Sequence, residues 1–327
     1  MARADADQLK IFAGRHSRPL TQSICDHLEI PIGEARTHVF PDGEMLLKVE
    51  EDVRGRDCFV VISTCMPVND NLMELLIFLD CIHRASAGMV TVVLPYFGYG
   101  RQDRKSEGRV PITAKLVANL ITAGKADRVI AVDLHAAQIQ GFFDIPVDHL
   151  SATPVFSEYF SQHRDELEDL CLVSPDVGNV KVAEGFANML GGDLAIINKR
   201  RLSGSKVTTG HIIGEVKDKT VLMVDDMIST AGTICAAAEV VMDHGAKRVI
   251  AAATHGLFVG EAAERLNASP ISKIVVTNTV PTQSAAEALG DKLVTLEVCG
   301  LLGDAIHRVH HNKSISELFR GTAGLKR

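Results

Sequence analysis

Two adjacent carboxylates followed by a loop of small residues are the part of this chain that most suggests chemistry. Asp225 and Asp226 follow the apolar run 220–224, and the loop at residues 229–233 precedes a helical pattern. Backbone N–H groups of such a loop can surround a phosphate, where the helix dipole also favours negative charge. The carboxylates can accept from sugar hydroxyls or hold a hard divalent cation. The motif predicts a sugar-phosphate site; the alternative is an ordinary strand-to-helix turn with a solvated acidic pair.

Two basic loops offer charge for binding phosphates. Residues 95–112 follow a predicted strand and carry four cations, two acids and three aromatic residues. Residues 199–206 carry four cations around a Ser-Gly-Ser stretch. In an acidic protein, the first loop is a candidate polyphosphate clamp and the second a candidate flap that neutralises charge during phosphoryl transfer. The alternative for each loop is a solvated surface charge run.

Single polar residues at other predicted strand ends are further candidates for the functional site. Asp133 and His135 follow one strand, and Asp176 follows another beside Pro175. A neutral imidazole near carboxylates can ligate a metal or transfer a proton, although a lone histidine more often satisfies a local hydrogen bond. Sites in open parallel sheets lie outside the carboxyl ends of the strands, so we expect these side chains to belong to a site.

The composition is that of a folded globular protein and argues against several other classes. Of the 327 residues, 46% are hydrophobic and 23% are charged. The formal net charge of −7 argues against a broad nucleic-acid surface. No apolar run predicts a membrane span, and acids near the N-terminus argue against an export signal. Seven cysteines without C-x-x-C spacing indicate neither a zinc site nor a disulfide framework, so we expect a cytoplasmic protein.

Apolar, β-branched runs alternate with helical patterns along almost the whole chain. The patterns predict strands at residues 58–62, 90–94, 128–132, 170–173, 194–197, 220–224, 248–253 and 273–277. They predict helices at residues 72–85, 115–123 and 233–244. Thr113 is the expected N-cap of the second helix, and Gly245 the expected left-handed cap of the third. Such alternation indicates an α/β protein with parallel sheets and right-handed crossovers.

The chain length predicts two domains. Residues 58–94 and 220–253 repeat the order strand, loop, helix, strand at nearly equal length. This repeat indicates two related domains or only the common appearance of βαβ units. A small polar cluster with a proline at residues 151–154 is a suitable junction, so we predict domains at residues 1–151 and 152–327.

In their order along the chain, the motifs resemble the ribose-phosphate diphosphokinase family, the 5-phosphoribosyl diphosphate synthetases. The matching segments are FPDGE at 40–44, NDNLMELL at 69–76, GRQD at 100–103, KLVANL at 115–120, DLHAAQIQGFFDIPVD at 133–148, SPD at 174–176, VDDMISTAGTI at 224–234, VTNT at 276–279 and SISELF at 314–319. The resemblance implies two tandem phosphoribosyltransferase-like domains, each with a mostly parallel sheet flanked by helices. It implies a transferase of nucleotide biosynthesis that moves the diphosphoryl group of ATP to the 1-hydroxyl of ribose 5-phosphate and releases AMP. It also implies one or two Mg²⁺ ions.

The resemblance further implies a homo-oligomer, a hexamer, in which a neighbouring subunit completes the ATP site. The ATP-binding residues would be Phe40, Asp42, Gly43 and Glu44 of the neighbour, with Arg101 and Gln102. Adenine would lie between Phe40 and the Arg101 guanidinium. The metal residues would be His135 and Asp176, and the catalytic residues Lys199, Arg201 and His135. Ribose 5-phosphate would be bound by Arg201, Asp225, Asp226, Ser229, Thr230, Ala231, Gly232 and Thr233.

Some positions depart from the family pattern. Ser229 stands where an acid is usual, and Val182 or Ala183 where a basic residue is common. Ala137 replaces a frequent serine of the regulatory phosphate site, and His149 a common asparagine. Loss of a hydroxyl donor should weaken anion binding. We therefore hypothesise weaker activation by inorganic phosphate and weaker inhibition by ADP than in typical members.

Two other functions are compatible with parts of the pattern. A phosphoribosyltransferase shares the acidic pair and phosphate loop, but needs neither FPDGE, GRQD nor the basic loop at residue 199. A non-catalytic regulatory homologue tends to carry insertions in the first basic loop or to lack catalytic residues. Here residues 101–111 are uninterrupted, and every catalytic and metal residue named above is present. The sequence therefore favours the active synthetase.

Overall fold

The computed structural model describes residues 8–175, 180–198 and 211–322. The strands are β1 (Leu9–Ala13), β2 (Ala35–Val39), β3 (Met45–Val49), β4 (Asp57–Val61), β5 (Met89–Leu94), β6 (Arg128–Val132), β7 (Val147–Leu150), β8 (Leu170–Ser174), β9 (Asp193–Asn198), β10 (His211–Ile213), β11 (Thr220–Ile228), β12 (Arg248–Gly256), β13 (Ile271–Thr277) and β14 (Leu293–Leu296). The α-helices are α1 (Arg18–His27), α2 (Val68–Arg84), α3 (Thr113–Ala123), α4 (Thr153–Gln162), α5 (Val180–Leu190), α6 (Gly232–Asp243), α7 (Ala262–Ala268), α8 (Gln283–Leu289) and α9 (Cys299–His310). Short 3-10 helices cover Arg15–Ser17, Ala137–Phe142, Arg164–Leu167, Gly290–Lys292 and Ile315–Thr322.

The chain divides into two compact units. Unit 1 consists of Met1–Ala152, Thr279–Pro281 and Val298–Leu318, and unit 2 of Thr153–Asn278, Thr282–Glu297 and Phe319–Arg327. This division differs from the predicted second domain, residues 152–327, because the C-terminal helix α9 packs on unit 1. There His310 Nδ1 lies 2.7 Å from Asp57 Oδ2, and Leu302 and Ile306 are fully buried.

Unit 1 contains a five-stranded parallel sheet in the order β1-β4-β5-β6-β7, together with the antiparallel hairpin β2–β3. The central strands are continuous apolar runs because helices cover a parallel sheet on its faces. The core includes Val60, Val92 and Val129 from the sheet, with Phe78 of α2 and Ile121 of α3. The hairpin was not among the predicted elements. The residues of β2, ARTHV, do not alternate between apolar and polar types, so they do not predict a strand, and none of them is buried.

Unit 2 contains a seven-stranded sheet in the order β10-β9-β8-β11-β12-β13-β14. All pairs are parallel except β10 with β9, which places an antiparallel strand at one edge. Small residues of α6, Ala237 and Ala238, are fully buried in the core beside Met223 of β11 and Ala251 of β12. The sheet thus aligns the carboxyl ends of β8, β11, β12 and β13 along one edge, where ligand sites of α/β sheets lie.

The α/β fold and the predicted strands and helices are confirmed, as is the left-handed cap at Gly245, whereas the N-cap of α3 differs from the prediction. Thr113 is the first residue of α3, and the N-cap is Ile112. The Thr113 hydroxyl does not cap the helix and donates instead to Gln102 Oε1 at 2.5 Å. Gly245 follows α6 with φ +87°, as a left-handed cap requires. Among the described residues, no helix has both the length and the apolar character needed to cross a lipid bilayer.

Candidate active site

The predicted sugar-phosphate acids lie within β11 of unit 2, not beyond its end. The sequence placed the strand end at residue 224, which is wrong. The parallel ladder continues because β12 is equally long, pairing Asp225 with Ala253 and Ile228 with Gly256. Asp225 and Asp226 are half-buried, and the Asp226 N–H donates to Asp225 Oδ1 at 2.9 Å. The backbone of the second acid thus orients the carboxylate of the first.

The small-residue loop 229–233 connects β11 directly to α6. Ala231 is the N-cap of the helix in a left-handed conformation, φ +60°, which is uncommon for a residue with a Cβ. Its methyl group is buried in the core of unit 2, which explains an alanine at this position. A Cβ on Gly232 would meet nothing nearer than Thr230 Oγ1 at 4.0 Å, so its backbone faces open space. The loop therefore exposes backbone at a helix N-terminus, the geometry that suits an anion.

The remaining members of the ribose 5-phosphate set differ in exposure. Ser229 is half-buried, whereas Thr230, Gly232 and Thr233 are exposed. Three residues predicted to act at or near this site, Asp176, Lys199 and Arg201, lie outside the described residues, as does the basic loop that follows β9. Their roles stay predictions.

In unit 1, the loop after β5 is attached to the loop after β4. Thr64 Oγ1 donates to the Tyr96 carbonyl at 3.1 Å and accepts from the Gly98 N–H at 2.6 Å. A Cβ on Gly98 would lie 2.3 Å from the Thr64 carbonyl oxygen, so only glycine fits this close approach. Tyr99 OH donates to Asn69 Oδ1 at 2.5 Å. These contacts hold the start of the GRQD segment against the rest of the unit.

The GRQD segment presents an exposed arginine and an oriented glutamine. Arg101 and Gln102 are exposed. The Thr113 hydroxyl donates to Gln102 Oε1, and the Gln102 carbonyl accepts from the Ala114 N–H at 3.2 Å. Because the side-chain oxygen is bound at the start of α3, the Gln102 amide presents its NH₂ donors to a ligand. Asp103 Oδ2 accepts from Gln138 Nε2 at 3.1 Å, which connects this loop to the one after β6.

His135 lies next to the GRQD segment. It is exposed in the loop after β6, and its Cβ is 3.6 Å from the position that a Cβ on Gly100 would take. The same loop is anchored by Asp133, φ +36°, whose Oδ2 accepts from the Ala152 N–H at 3.0 Å. The structure thus brings His135 and the predicted nucleotide loop together within unit 1.

His149 holds the same loop through a hydrogen bond that the sequence did not indicate. Its Nε2 accepts from the Leu134 N–H at 2.9 Å, so the ring must be neutral with its proton on Nδ1. Burial lowers the pKa of His149 below the ordinary value of 6.5, while the neighbouring Asp133 carboxylate acts in the opposite direction. The neutral imidazole therefore positions the backbone one residue before His135.

The FPDGE segment is the turn of the β2–β3 hairpin. The Phe40 N–H donates to the Glu44 carbonyl at 2.8 Å, and the Glu44 N–H donates to Asp42 Oδ1 at 3.1 Å. Gly43 adopts φ +92°, which the turn requires of it. Phe40 is 40% exposed and makes an edge contact with His38, ring centroids 4.8 Å apart. A large aromatic ring presented on a tight surface turn is available for stacking.

The donor types suit a hard divalent cation, although the described residues do not form a complete cage. In unit 2 the carboxylates of Asp225 and Asp226 lie in β11, and in unit 1 the imidazole of His135 follows β6. Mg²⁺ typically takes only one or two protein ligands beside substrate phosphates and water. Within the described ranges, no three His, Cys, Asp or Glu side chains are grouped so that they could hold a metal ion.

Comparisons with known proteins agree with the geometry. A family model described as the N-terminal domain of ribose phosphate pyrophosphokinase matches residues 9–124, and one described as a phosphoribosyl synthetase-associated domain matches residues 202–320. The ribose-phosphate pyrophosphokinase of Rhodopirellula baltica is 55% identical over 314 residues, 96% of this chain and 99% of the relative. That of Thermotoga maritima is 48% identical over 316 residues, 96% and 99% of the two chains. The crystal structure of phosphoribosylpyrophosphate synthetase from Mycobacterium smegmatis matches with a TM-score of 0.88 and 40% identity, covering 93% of this chain and 99% of that one.

Proposed function

The chain belongs to the ribose-phosphate pyrophosphokinase family, and on this premise we propose how its residues divide the work of the reaction. Its activity is the transfer of the diphosphoryl group of ATP to the 1-hydroxyl of ribose 5-phosphate, which yields 5-phosphoribosyl diphosphate and AMP. Little covalent chemistry is required of the protein in such a transfer. Alignment of the substrates and neutralisation of charge do most of the work.

The loop 229–233 binds the 5-phosphate of the sugar. Its backbone amides and the positive end of α6 favour the phosphate, and the open space at Gly232 lets the oxygens approach the main chain. Asp225, held by the Asp226 N–H, accepts hydrogen bonds from ribose hydroxyls and so orients the ring. The observation that carries this assignment is the left-handed Ala231 at the helix start, which turns the loop into an anion-binding concavity.

ATP is bound by the strand-end loops of unit 1 and the hairpin of a neighbouring subunit. Arg101 and Gln102 are exposed beside His135, and Gln102 offers NH₂ donors of the kind that adenine nitrogens accept. Phe40, with Asp42, Gly43 and Glu44, forms an exposed turn suited to the adenine of an adjoining copy. A homo-oligomer, expected to be a hexamer, would complete the site. The exposed Val39 and Leu46 of the same hairpin, 43% and 57% exposed, support a contact between copies.

The charged groups that meet the transferring phosphates are His135, Asp176, Lys199 and Arg201. His135, with Asp176, would hold or orient Mg²⁺. A bound ion would supply positive charge that offsets the negative charge of the phosphates. Lys199 and Arg201 would neutralise the charge that develops on the transferring group. Both side chains are cationic and carry only hydrogen-bond donors, which suits the recognition of phosphate oxygens.

Product analysis of the purified protein tests the activity. With ATP, Mg²⁺ and ribose 5-phosphate, AMP should form, and it should not form when the sugar phosphate is left out. AMP release that is independent of the sugar phosphate, or none at all, would contradict the assignment.

Two substitutions test the division of roles. Asp225→Ala should raise KM for ribose 5-phosphate far more than KM for ATP. Lys199→Ala should lower kcat with little change in either KM, because the charge that it meets develops only during transfer. A selective ATP defect in Asp225→Ala, or lost ATP affinity at unchanged kcat in Lys199→Ala, would show that the roles are assigned wrongly.

A further inference from the structure

Four consecutive carbonyl groups, those of residues 228–231, accept hydrogen bonds within unit 2. The Ile228 carbonyl accepts from the Leu257 and Phe258 N–H groups at 2.9 and 3.1 Å, and the Ser229 carbonyl from the Val259 N–H at 3.0 Å. The Ala231 carbonyl accepts from the Cys235 N–H at 3.0 Å within the first turn of α6. The Thr230 carbonyl accepts from Arg265 Nη1 at 3.1 Å.

These bonds decide where the loop amides point. In a trans peptide the C=O and the following N–H lie on opposite sides of one plane. A carbonyl held by the framework therefore turns the next N–H away from the framework. The Ser229, Thr230 and Ala231 carbonyls in this way direct the N–H groups of Thr230, Ala231 and Gly232. Among the described contacts, the bond on Thr230 is the one made by a side chain, so it alone can be removed by substitution.

Arg265 is fixed well enough to act as such a support. It lies on α7, whose Ala262 and Leu266 are fully buried, so the helix cannot shift freely. Its Nη2 forms an ion pair with Glu261 Oε2 at 2.8 Å, one turn earlier. The planar guanidinium thus uses one nitrogen for Glu261 and the other for Thr230, and its plane is defined by both. The side chain is 45% exposed, so we assign its effect to the bond with the loop and not to the surface ion pair.

The peptide that Arg265 holds is the one under local strain. It leads into Ala231, whose φ of +60° is unfavourable for an L-residue. Without the arginine, the Thr230–Ala231 peptide could rotate and take the Ala231 N–H out of the phosphate position. The guanidinium also places a positive charge behind a loop that binds a dianion, which adds a favourable long-range interaction.

We propose that Arg265 is a positioning residue for ribose 5-phosphate: by binding the Thr230 carbonyl, it aims the Ala231 N–H at the 5-phosphate. The inference rests on the proposed function of the 229–233 loop. In this role Arg265 acts on the binding of ribose 5-phosphate through its bond to the loop, and not on the chemical step.

Steady-state kinetics of Arg265→Ala test the proposal. KM for ribose 5-phosphate should rise about tenfold, since one aligned amide and one nearby charge are lost, while KM for ATP and kcat change less than about twofold. Arg265→Lys retains a cation that can reach the carbonyl but lacks the planar fork, so its KM should be intermediate. Added guanidinium ion should partly restore Arg265→Ala by occupying the vacated position beside Thr230.

Two controls separate the loop contact from the ion pair. Glu261→Gln removes the partner charge but leaves the Thr230 bond, and should raise KM for ribose 5-phosphate less than Arg265→Ala does. Arg84→Ala breaks a matching pair on α2, Arg84 Nε to Asp80 Oδ2 at 2.7 Å, in a helix of unit 1. It should leave both KM values unchanged.

The possible outcomes distinguish this inference from the proposed function. If Asp225→Ala impairs the use of ribose 5-phosphate but Arg265→Ala and Arg265→Lys leave its KM at the wild-type value, the positioning role is wrong and the loop assignment survives. An equal rise of both KM values in Arg265→Ala would also overturn it, as would an effect fully reproduced by Glu261→Gln. If Arg265→Ala does not fold, a wild-type KM in Arg265→Lys together with no change in Glu261→Gln still refutes the proposal.

Discussion

The buried carboxylate of Glu74 should decide how firmly the β2–β3 hairpin is held. Its side chain, in α2, is completely buried. Oε1 accepts from Thr37 Oγ1 at 2.9 Å and from Arg15 Nε at 3.3 Å, and Oε2 accepts from the Arg15 N–H at 3.4 Å. Thr37 lies in β2, three residues before Phe40. Glu74→Gln keeps the shape of the side chain but removes its charge and turns one acceptor into a donor.

The expected loss of stability follows from these contacts. The glutamine oxygen still accepts from Thr37, but its NH₂ group faces the Arg15 N–H, so one charge-assisted bond is replaced by two opposed donors. Such a bond is worth about 1.5–3 kcal/mol. Two effects reduce this loss of stability. The Arg15 side chain is 34% exposed, so water can replace part of its interaction with the carboxylate, and a neutral amide is easier to bury than a carboxylate. We expect the free energy of unfolding of unit 1 to fall by about 2 kcal/mol, which for a unit of this size lowers Tm by about 4–8 °C.

Circular dichroism is the suitable measurement because the chain contains no tryptophan for fluorescence. The matched control is Glu50→Gln, on the same hairpin, whose carboxylate pairs with Lys48 and Arg36 at the surface and should leave Tm unchanged. In assays, Glu74→Gln should raise KM for ATP and leave KM for ribose 5-phosphate near the wild-type value, because the hairpin carries the proposed adenine contact. A Tm within 1 °C of wild type, or the same shift in both variants, would refute the reasoning.

Three further perturbations have defined outcomes. Gly98→Ala places a Cβ 2.3 Å from the Thr64 carbonyl oxygen, so the loop after β5 must move. Thermal unfolding should show a loss of stability of about 1–3 kcal/mol, and kinetics should show a raised KM for ATP. Because burial lowers the pKa of His149, the unfolded chain binds this proton more readily than the folded one, so the contribution of His149 to stability should be lost as the pH falls below about 6.5. His149→Asn should flatten this part of the Tm-versus-pH curve, and an unchanged decline in the variant would contradict the reasoning. With Ala137 in place of a hydroxyl donor, the rate should respond only weakly to inorganic phosphate, and strong saturable activation in a phosphate titration would contradict this.

Local patterns were sufficient for much of the fold and for the position of the small-residue loop 229–233 between a strand and a helix. The apolar run of β11, the small residues of 229–233 and the helical pattern of α6 are consecutive in sequence, so their arrangement depends on propensities and spacing within one segment. The same holds for the predicted strands β4 to β6, whose continuous apolar runs are typical of a covered parallel sheet. By contrast, the true length of β11 depends on its neighbour β12, and the local pattern ended it four residues early.

The supports of the site came only from the tertiary structure. Glu74 binds Arg15 across 59 residues and Arg265 binds Thr230 across 35, and neither pair has a spacing that a helix or strand would impose. His310 reaches Asp57 across 253 residues, which is why α9 joins unit 1 against the expectation from chain order. The sequence by itself determined the strands β4 to β6, β8, β9 and β11 to β13 and the helices α2, α3 and α6, because short-range sterics and hydrophobic periodicity act within each segment. Which distant side chain holds each loop was decided by packing, since a hydrogen bond between remote residues forms only after the whole sheet has brought their backbones together.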